Sequence, residues 1–236
     1  MDIIIVGSGN LAVAIARCCD KKDQPYQRWG KESPNVELRE SEPYKTVVIH
    51  TGSGRQIREA TEFCTKHKLI MLQASSQLSE PIPADPGCGI ITVPNFAFEV
   101  VEFIKQLGPV TKAYAEKGII PFQIMESHQA KKKSIPLTAR QMAKVIEIPE
   151  TTIVSIRDPE EQIRLGVPRE FLDAHGYHWV KYIGPGGVIL EQVSKVNGRD
   201  PYGYGAIQMA QATTHLWAGI TEGVHSFDEF AKGVGI

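Results

Sequence analysis

Asp2-Ile3-Ile4-Ile5-Val6-Gly7-Ser8-Gly9-Asn10-Leu11-Ala12 is the stretch from which the fold can be read. The short apolar run up to Val6 reads as a strand buried on both faces. Gly7 to Ala12 then spell G-x-G-x-x-A, and Val13-Ala14-Ile15-Ala16 continues at helical spacing. Glycines at a strand-to-helix turn allow a tight bend and let a pyrophosphate approach the backbone N–H groups of the helix start. Ala12 in place of a third glycine is a variant that this fingerprint allows. Gly7, Ser8, Gly9, Asn10 and Leu11 are therefore the first candidate residues for holding a dinucleotide.

Further strand–helix units follow. The segment Asp20-Lys21-Lys22-Asp23-Gln24-Pro25 is polar, and Tyr26–Trp29 reads as a short strand that would leave Arg28 or Lys31 near an adenosine ribose. Those residues decide nothing between NADH and NADPH. Thr46–His50, residues 69–73 and residues 90–93 are apolar strands, and residues 58–68 form a helix with Ala60, Phe63 and Cys64 on one face. Such repetition gives a doubly wound parallel sheet, whose ligands sit beyond the carboxyl ends of the strands. Thr51-Gly52-Ser53, Ala74-Ser75-Ser76 and Pro94-Asn95-Phe96 all fall there and are the candidate lining of a nicotinamide pocket. His50 ends a strand at the same edge.

After a helix at residues 99–107 the character changes. Residues 119–125, 151–156, 177–183 and 188–196 read as strands, the last two joined by the turn Gly184-Pro185-Gly186-Gly187. Residues 136–146 and 168–175 read as helices. An open, mainly antiparallel sheet with helices on one face is expected, its bare face a surface for oligomerisation. Residues 207–217 form a helix that returns to the first domain, and Ser226-Phe227-Asp228-Glu229 reads as a capping box opening a last short helix. The domains so expected are 1–97 with 205–236, and 98–204.

Chemistry concentrates in Glu126-Ser127-His128-Gln129-Ala130-Lys131-Lys132-Lys133-Ser134-Ile135-Pro136-Leu137-Thr138. An imidazole moves protons near neutral pH, lysines add point charge, and a proline in a first helical turn opens an N-terminus that favours an anion. The combination suits a small carboxylated substrate. His175 and His178, with no carboxylate or cysteine in register, read as structural. His67, His215 and His225 read as helix packing or surface. Arg199, in a polar Gly-Arg-Asp-Pro turn, either binds a carboxylate or caps the hinge between domains.

Bulk properties narrow the classes. The chain has 236 residues, 42% hydrophobic and 22% charged, with a formal net charge of −1. This gives no global attraction to nucleic acid or a membrane surface. No apolar run approaches a membrane span, and Met1 leads into a strand without a signal-peptide pattern. Cys18, Cys19, Cys64 and Cys88 lack metal-ligand spacing and read as reduced thiols of a cytoplasmic protein; no metal is expected.

With these pieces in place, the chain resembles the dihydrodipicolinate reductase family. The likeness rests on the Gly7 turn, the strand before Thr51, Pro94-Asn95-Phe96, and Glu126-Ser127-His128 followed by Lys132, Pro136, Thr138 and Ala139. Lys195, Arg199 and Gly205-Ala206, which opens the late helix in the family, complete it. The resemblance implies a Rossmann-type dinucleotide-binding domain and an α+β domain for substrate binding and oligomerisation. It also implies NADH or NADPH as cofactor, reduction of a cyclic imine conjugated to a carboxylate in lysine (diaminopimelate) biosynthesis, and a homotetramer built through the sheet domain. His128 and Lys132 stand at the family's catalytic pair, and Gln129, Lys132, Leu137, Thr138 and Arg199 at or beside its substrate contacts. The chain departs from the family's pattern at Gln129, where a second histidine is usual, at Leu137-Thr138, a shortened serine–glycine–threonine, at Ser194, often histidine, and at Ala74-Ser75-Ser76-Gln77. Two other readings stay open: a reductase of another small carboxylated cyclic imine, and a non-catalytic nucleotide-binding regulatory protein on the same fold.

Overall fold

The structure is a computed structural model; it describes residues 1–29, 38, 45–52, 56–74, 80–216, 219–220, 222–227 and 230. Ser53, Ser75 and Ser76 of the candidate loops, with Lys31, Gln77, Trp217, Asp228 and Glu229, lie outside the described residues. The chain runs through β1 (Asp2–Val6), α1 (Asn10–Lys21), β2 (Tyr26–Trp29), β3 (Thr46–His50), α2 (Ile57–His67), β4 (Ile70–Gln73) and β5 (Gly89–Thr92). It continues with α3 (Phe98–Ala115), β6 (Ile120–His128), α4 (Leu137–Val145), β7 (Ile153–Ile156), α5 (Pro159–Arg164), β8 (His175–Ile183) and β9 (Ile189–Asn197). It ends with α6 (Asp200–His215) and β10 (Gly223–Ser226). Two units result, Met1–Ala97 with Asp200–Ile236, and Phe98–Arg199.

The first unit is a Rossmann-type parallel sheet in the order β10-β5-β4-β3-β1-β2. Every pairing in it is parallel. Ile4, Val48, Met71 and Ile90 lie in one row across the sheet and pack under Ile57, Ala60 and Cys64 of α2. Helices α1 and α6 pack together so closely that a Cβ on Gly203 would lie 2.8 Å from the Ala14 carbonyl oxygen. The strand order reverses between β1 and β3, and the turns that leave these two strands are Gly7 and Thr51. Ligands of such sheets bind at that reversal.

The second unit is a mixed sheet, order β7-β6-β8-β9, with β6–β7 parallel and the other two pairings antiparallel. One face carries Ile124, Ile153, Val180 and Tyr182 against Leu107 of α3 and Ala139, Met142 and Ala143 of α4. On the other, Tyr177 and Trp179 lie under Leu165, Val167, Phe171 and Leu172. Beyond that cover the same face leaves Val154, Ile183, Ile189 and Val193 exposed.

The structure corrects several sequence expectations. Residues 168–175 hold only a 3₁₀ turn at Arg169–Phe171, because His175 pairs with Asn197 and joins β8. Strand β6 runs three residues past 125 and includes His128, since pairing with β8 continues to Gly176. Pro136 is the extended N-cap of α4 and lies outside its first turn. Ser226 ends strand β10 beside β5, a strand the sequence did not suggest, and Phe227 and Phe230 after it are helical, as the capping-box reading expected. Gly205 lies well inside α6, which opens at Asp200, where Arg17 and Lys21 both bond the Asp200 carboxylate.

Candidate active site

In the first unit the Gly7 turn needs glycine. Gly7 has φ +119°, and a Cβ there would sit 2.6 Å from Thr51 Oγ1. Thr51 is itself committed to the fold. Its hydroxyl donates to the Val6 carbonyl at 2.8 Å and its N–H to the same oxygen at 2.9 Å, tying the ends of β1 and β3 together. Gly9 caps α1 with extended backbone, no side chain caps that helix, and a Cβ on Gly9 would meet nothing within 4 Å. Backbone N–H groups left without intrahelical partners in an open turn are the feature a pyrophosphate requires, so these residues fit a dinucleotide. Ser8 and Asn10 are exposed beside it and Leu11 is half-buried. Gly52 follows Thr51, Ala74 donates its N–H to the His50 carbonyl at 3.0 Å, and Asn95 Oδ1 accepts from Ala97 N–H at 2.8 Å. Pro94 is exposed and Phe96 buried. These loops all leave the carboxyl ends of their strands.

In the second unit a buried ionic network surrounds His128. Strand period places Glu126 and His128 on one face of β6. The Glu126 carboxylate is fully buried, and His128 Nδ1 lies 2.7 Å from its Oε2. Ser155, directly opposite Glu126 on β7, donates its hydroxyl to Oε1. Arg157 donates from Nη1 to Oε2 at 3.0 Å and from Nη2 to Oε1 at 2.5 Å, and its Nε donates to the Lys132 carbonyl at 2.9 Å. Burial alone would raise the Glu126 pKa, but the bonds from His128, Arg157 and Ser155 overrule it and hold it at about 2. Glu126 is therefore an anion that only accepts, and His128 carries its hydrogen on Nδ1 toward it. Gln162 of α5 secures the backbone, donating to the His128 carbonyl at 2.8 Å and the Ile156 carbonyl at 3.1 Å.

Two more histidines stand close by. His178 faces Glu126 across β6–β8 and Ser194 across β8–β9, with its ring edge-to-face on His128 at 5.3 Å. Both its ring nitrogens lack a hydrogen-bond partner among the described residues. Burial, with the His128 charge adding to it, pushes its pKa down to about 3, so the ring is neutral. His175 donates from Nδ1 to the Phe171 carbonyl at 3.0 Å and accepts from the Ser127 hydroxyl at 2.8 Å. Its pKa is also lowered by burial. Lys132 is half-buried in a turn closed by its N–H to the Gln129 carbonyl at 2.9 Å, whereas Lys131 and Lys133 are exposed. Leu137 and Thr138 open α4, which has no side-chain cap. Arg199 donates a long bond, 3.5 Å, to the Asp173 carbonyl.

Sequence reasoning missed Glu126 as a partner, and Ser155, Arg157 and Gln162 altogether. Two signals were there to be used. Glu126 precedes His128 by two residues, the same-face spacing of a strand. Asp158-Pro159-Glu160-Glu161 is a helix-start signature, and Asp158 does cap α5 by accepting from the Glu161 N–H at 2.8 Å. Among the described residues no group of three or more His, Cys, Asp or Glu is arranged to hold a metal, and no helix is long and apolar enough to cross a membrane.

No protein-family model and no curated relative matches the chain. Among solved structures it is similar to a dihydrodipicolinate reductase from Paenisporosarcina sp. TG-14 with dipicolinate bound, at 16% identity and TM-score 0.60, over 96% of this chain and 97% of that one. It is similar also to a myo-inositol-1-phosphate synthase-related protein from Thermotoga maritima MSB8, at 8% identity and TM-score 0.49, over 95% and 89%. A third is an oxidoreductase from Agrobacterium radiobacter in complex with NAD+, L-tartaric acid and magnesium, at 12% identity and TM-score 0.48, over 94% and 90%. The first likeness spans both chains end to end and is one of fold; the other two fall below the level at which a likeness bears weight. The chain has the two-unit α/β architecture of Rossmann-type dehydrogenases.

Proposed function

We propose that this protein is an NAD(P)H-dependent oxidoreductase that reduces a small cyclic imine bearing a carboxylate, with dihydrodipicolinate of lysine biosynthesis as its substrate. The observation that carries the reading is His128, held by a buried ionised Glu126 and followed by Lys132 in the next turn. The fold shared with a dipicolinate-bound dihydrodipicolinate reductase supports it. The cofactor, when bound, supplies a hydride to the electrophilic carbon of the imine. His128 delivers the proton that the adjoining position then takes up, completing conversion of C=N to CH–NH. Lys132 supplies positive charge to the carboxylated ring, and Gln129, Leu137, Thr138 and Arg199 shape the rest of its site. Gly7, Ser8, Gly9, Asn10 and Leu11 hold the pyrophosphate. Thr51, Gly52, Ser53, Ala74, Ser75, Ser76, Pro94, Asn95 and Phe96 surround the nicotinamide side.

A second reading keeps the reaction and changes the ring. Gln129 and the exposed Leu137 replace polar contacts of the family, and a neutral His178 stands opposite Ser194. A substrate with a different pattern of carboxylates would suit that set. The exposed Val154, Ile183, Ile189 and Val193 form the surface through which copies of the chain assemble in this proposal.

The test is oxidation of NADH and of NADPH by the purified protein supplied with enzymatically generated dihydrodipicolinate. Turnover that falls by about 10²–10⁴-fold in His128→Gln supports the assignment. Tight cofactor binding without turnover overturns it and directs the search to other cyclic imines, or to a regulatory role.

A further inference from the structure

The His128 site contains more fixed charge than proton transfer by one imidazole requires. Glu126 is fully buried, yet it accepts from four groups on two strands and the turn beyond β7: its own strand neighbour His128, Ser155 of β7, and two N–H groups of Arg157. The third donating atom of Arg157 reaches the Lys132 carbonyl. One planar guanidinium thus joins the anion behind His128 to the backbone that carries Lys132. A fork of this kind fixes direction as well as distance, which an ammonium group cannot do.

We infer that Glu126 and Arg157 are positioning residues: Glu126 turns His128 so that protons pass through its Nε2 alone, and Arg157 sets where Lys132 stands relative to it. This rests on the proposed reductase reading. A carboxylate held ionised by three donating partners has no proton to give, so the hydrogen between it and His128 stays on Nδ1. The proton exchanged with a substrate can then only be the one on Nε2. The same logic fixes the histidine of Ser-His-Asp triads. The His178 ring packs edge-to-face with the His128 ring at 5.3 Å, and Gln162 holds the backbone that carries it. Lys132 is restrained by its turn bond to Gln129 and by the Arg157 Nε bond to its carbonyl.

The direct readout is ¹⁵N NMR of the histidine rings, which reports the tautomer without needing turnover. Wild-type His128 in its neutral form is expected to carry hydrogen on Nδ1. In Glu126→Gln, whose side chain can donate to that nitrogen, the hydrogen moves to Nε2 in all or part of the population. In the NADH or NADPH assay with dihydrodipicolinate, the same variant is expected to lose about 10²-fold or more in kcat while cofactor Kd stays at the wild-type value. Arg157→Lys keeps a cation beside Glu126 and removes the bridge to Lys132. It should leave the His128 tautomer unchanged and still lower kcat by about tenfold or more. Because Glu126→Gln weakens a buried network and could fail to fold, the wild-type tautomer and Arg157→Lys test the inference without it. Hydrogen on Nε2 of neutral wild-type His128, or wild-type kcat in both variants, would overturn the inference. Absence of turnover in the wild type, with the tautomer as expected, would instead sink the reductase reading and leave the Glu126–His128 arrangement standing.

Discussion

Gly205 of α6 rests directly on the carbonyl oxygen of Phe96: a Cβ added at Gly205 would lie 1.7 Å from that oxygen. No rotamer or small shift relieves such an overlap, because the obstacle is backbone. The contact holds the late helix against the loop that follows β5, where Asn95 and Phe96 are candidate cofactor contacts. Gly205→Ala is therefore expected to push α6 off that loop, costing about 1–3 kcal/mol or more. Thermal unfolding should show the lower Tm, and a fluorescence titration should show weaker NADH binding.

Gly7 and Thr51 make a second pair with a clear outcome. Gly7→Ala combines an unfavourable φ of +119° with a Cβ 2.6 Å from Thr51 Oγ1, and should weaken NAD(P)H binding by about tenfold or more. Thr51→Val removes the hydroxyl bond to the Val6 carbonyl but keeps the shape. A loss of about 1 kcal/mol in stability, with nucleotide affinity close to wild type, is expected if that hydroxyl serves the turn. Denaturant unfolding and nucleotide titration separate the two effects.

His178 governs part of the acid sensitivity. Unfolded, its ring takes a proton near 6.5; folded, only near 3. The unfolded state binds more protons between those values, so this contribution is complete above about 6.5 and is lost as pH falls toward 3. His175, also lowered, acts in the same direction. Glu126, lowered from 4.5 to about 2, adds a loss that begins only below about 4.5. His178→Phe keeps a ring in place and removes two unpartnered nitrogens. Its stability should match or exceed wild type at pH 7 and fall less steeply between pH 6.5 and 4.5, by on the order of 1 kcal/mol per pH unit. Denaturant midpoints measured across that range check it.

The exposed sheet face yields a test of assembly. Ile189 and Val193 alternate along β9 and are 50% and 41% exposed. If copies associate there, Ile189→Asp with Val193→Asp should convert the wild-type oligomer to monomer in sedimentation. An unchanged mass would rule this face out as an interface between copies.

Local pattern made much of the architecture legible. Apolar runs marked β1, β3, β4 and β5, and the glycine spacing marked the turn into α1, because both depend on residues adjacent in sequence. Strand β10 escaped notice. Gly223-Val224-His225-Ser226 has a single apolar residue, and it is a strand because β5 offers an unpaired edge. His128 stood out as a residue type suited to proton transfer, and Lys132 through the family resemblance. Their controlling partner Arg157 did not, since nothing near it in sequence reveals that its guanidinium faces a carboxylate 31 residues earlier.

By itself, then, the sequence determined the parallel-sheet unit, the change to a second sheet after residue 97, and the stretch that carries the imidazole and ammonium groups. These follow from hydrophobic period and turn chemistry, which act over a few residues. Tertiary structure alone decided what surrounds those groups. Pairing of β6 with β7 set Ser155 opposite Glu126, and pairing with β8 set His178 there. A one-residue slip in either pairing would turn every one of those side chains to the opposite face. The site is thus a property of strand register, which is settled by packing among segments far apart in the chain.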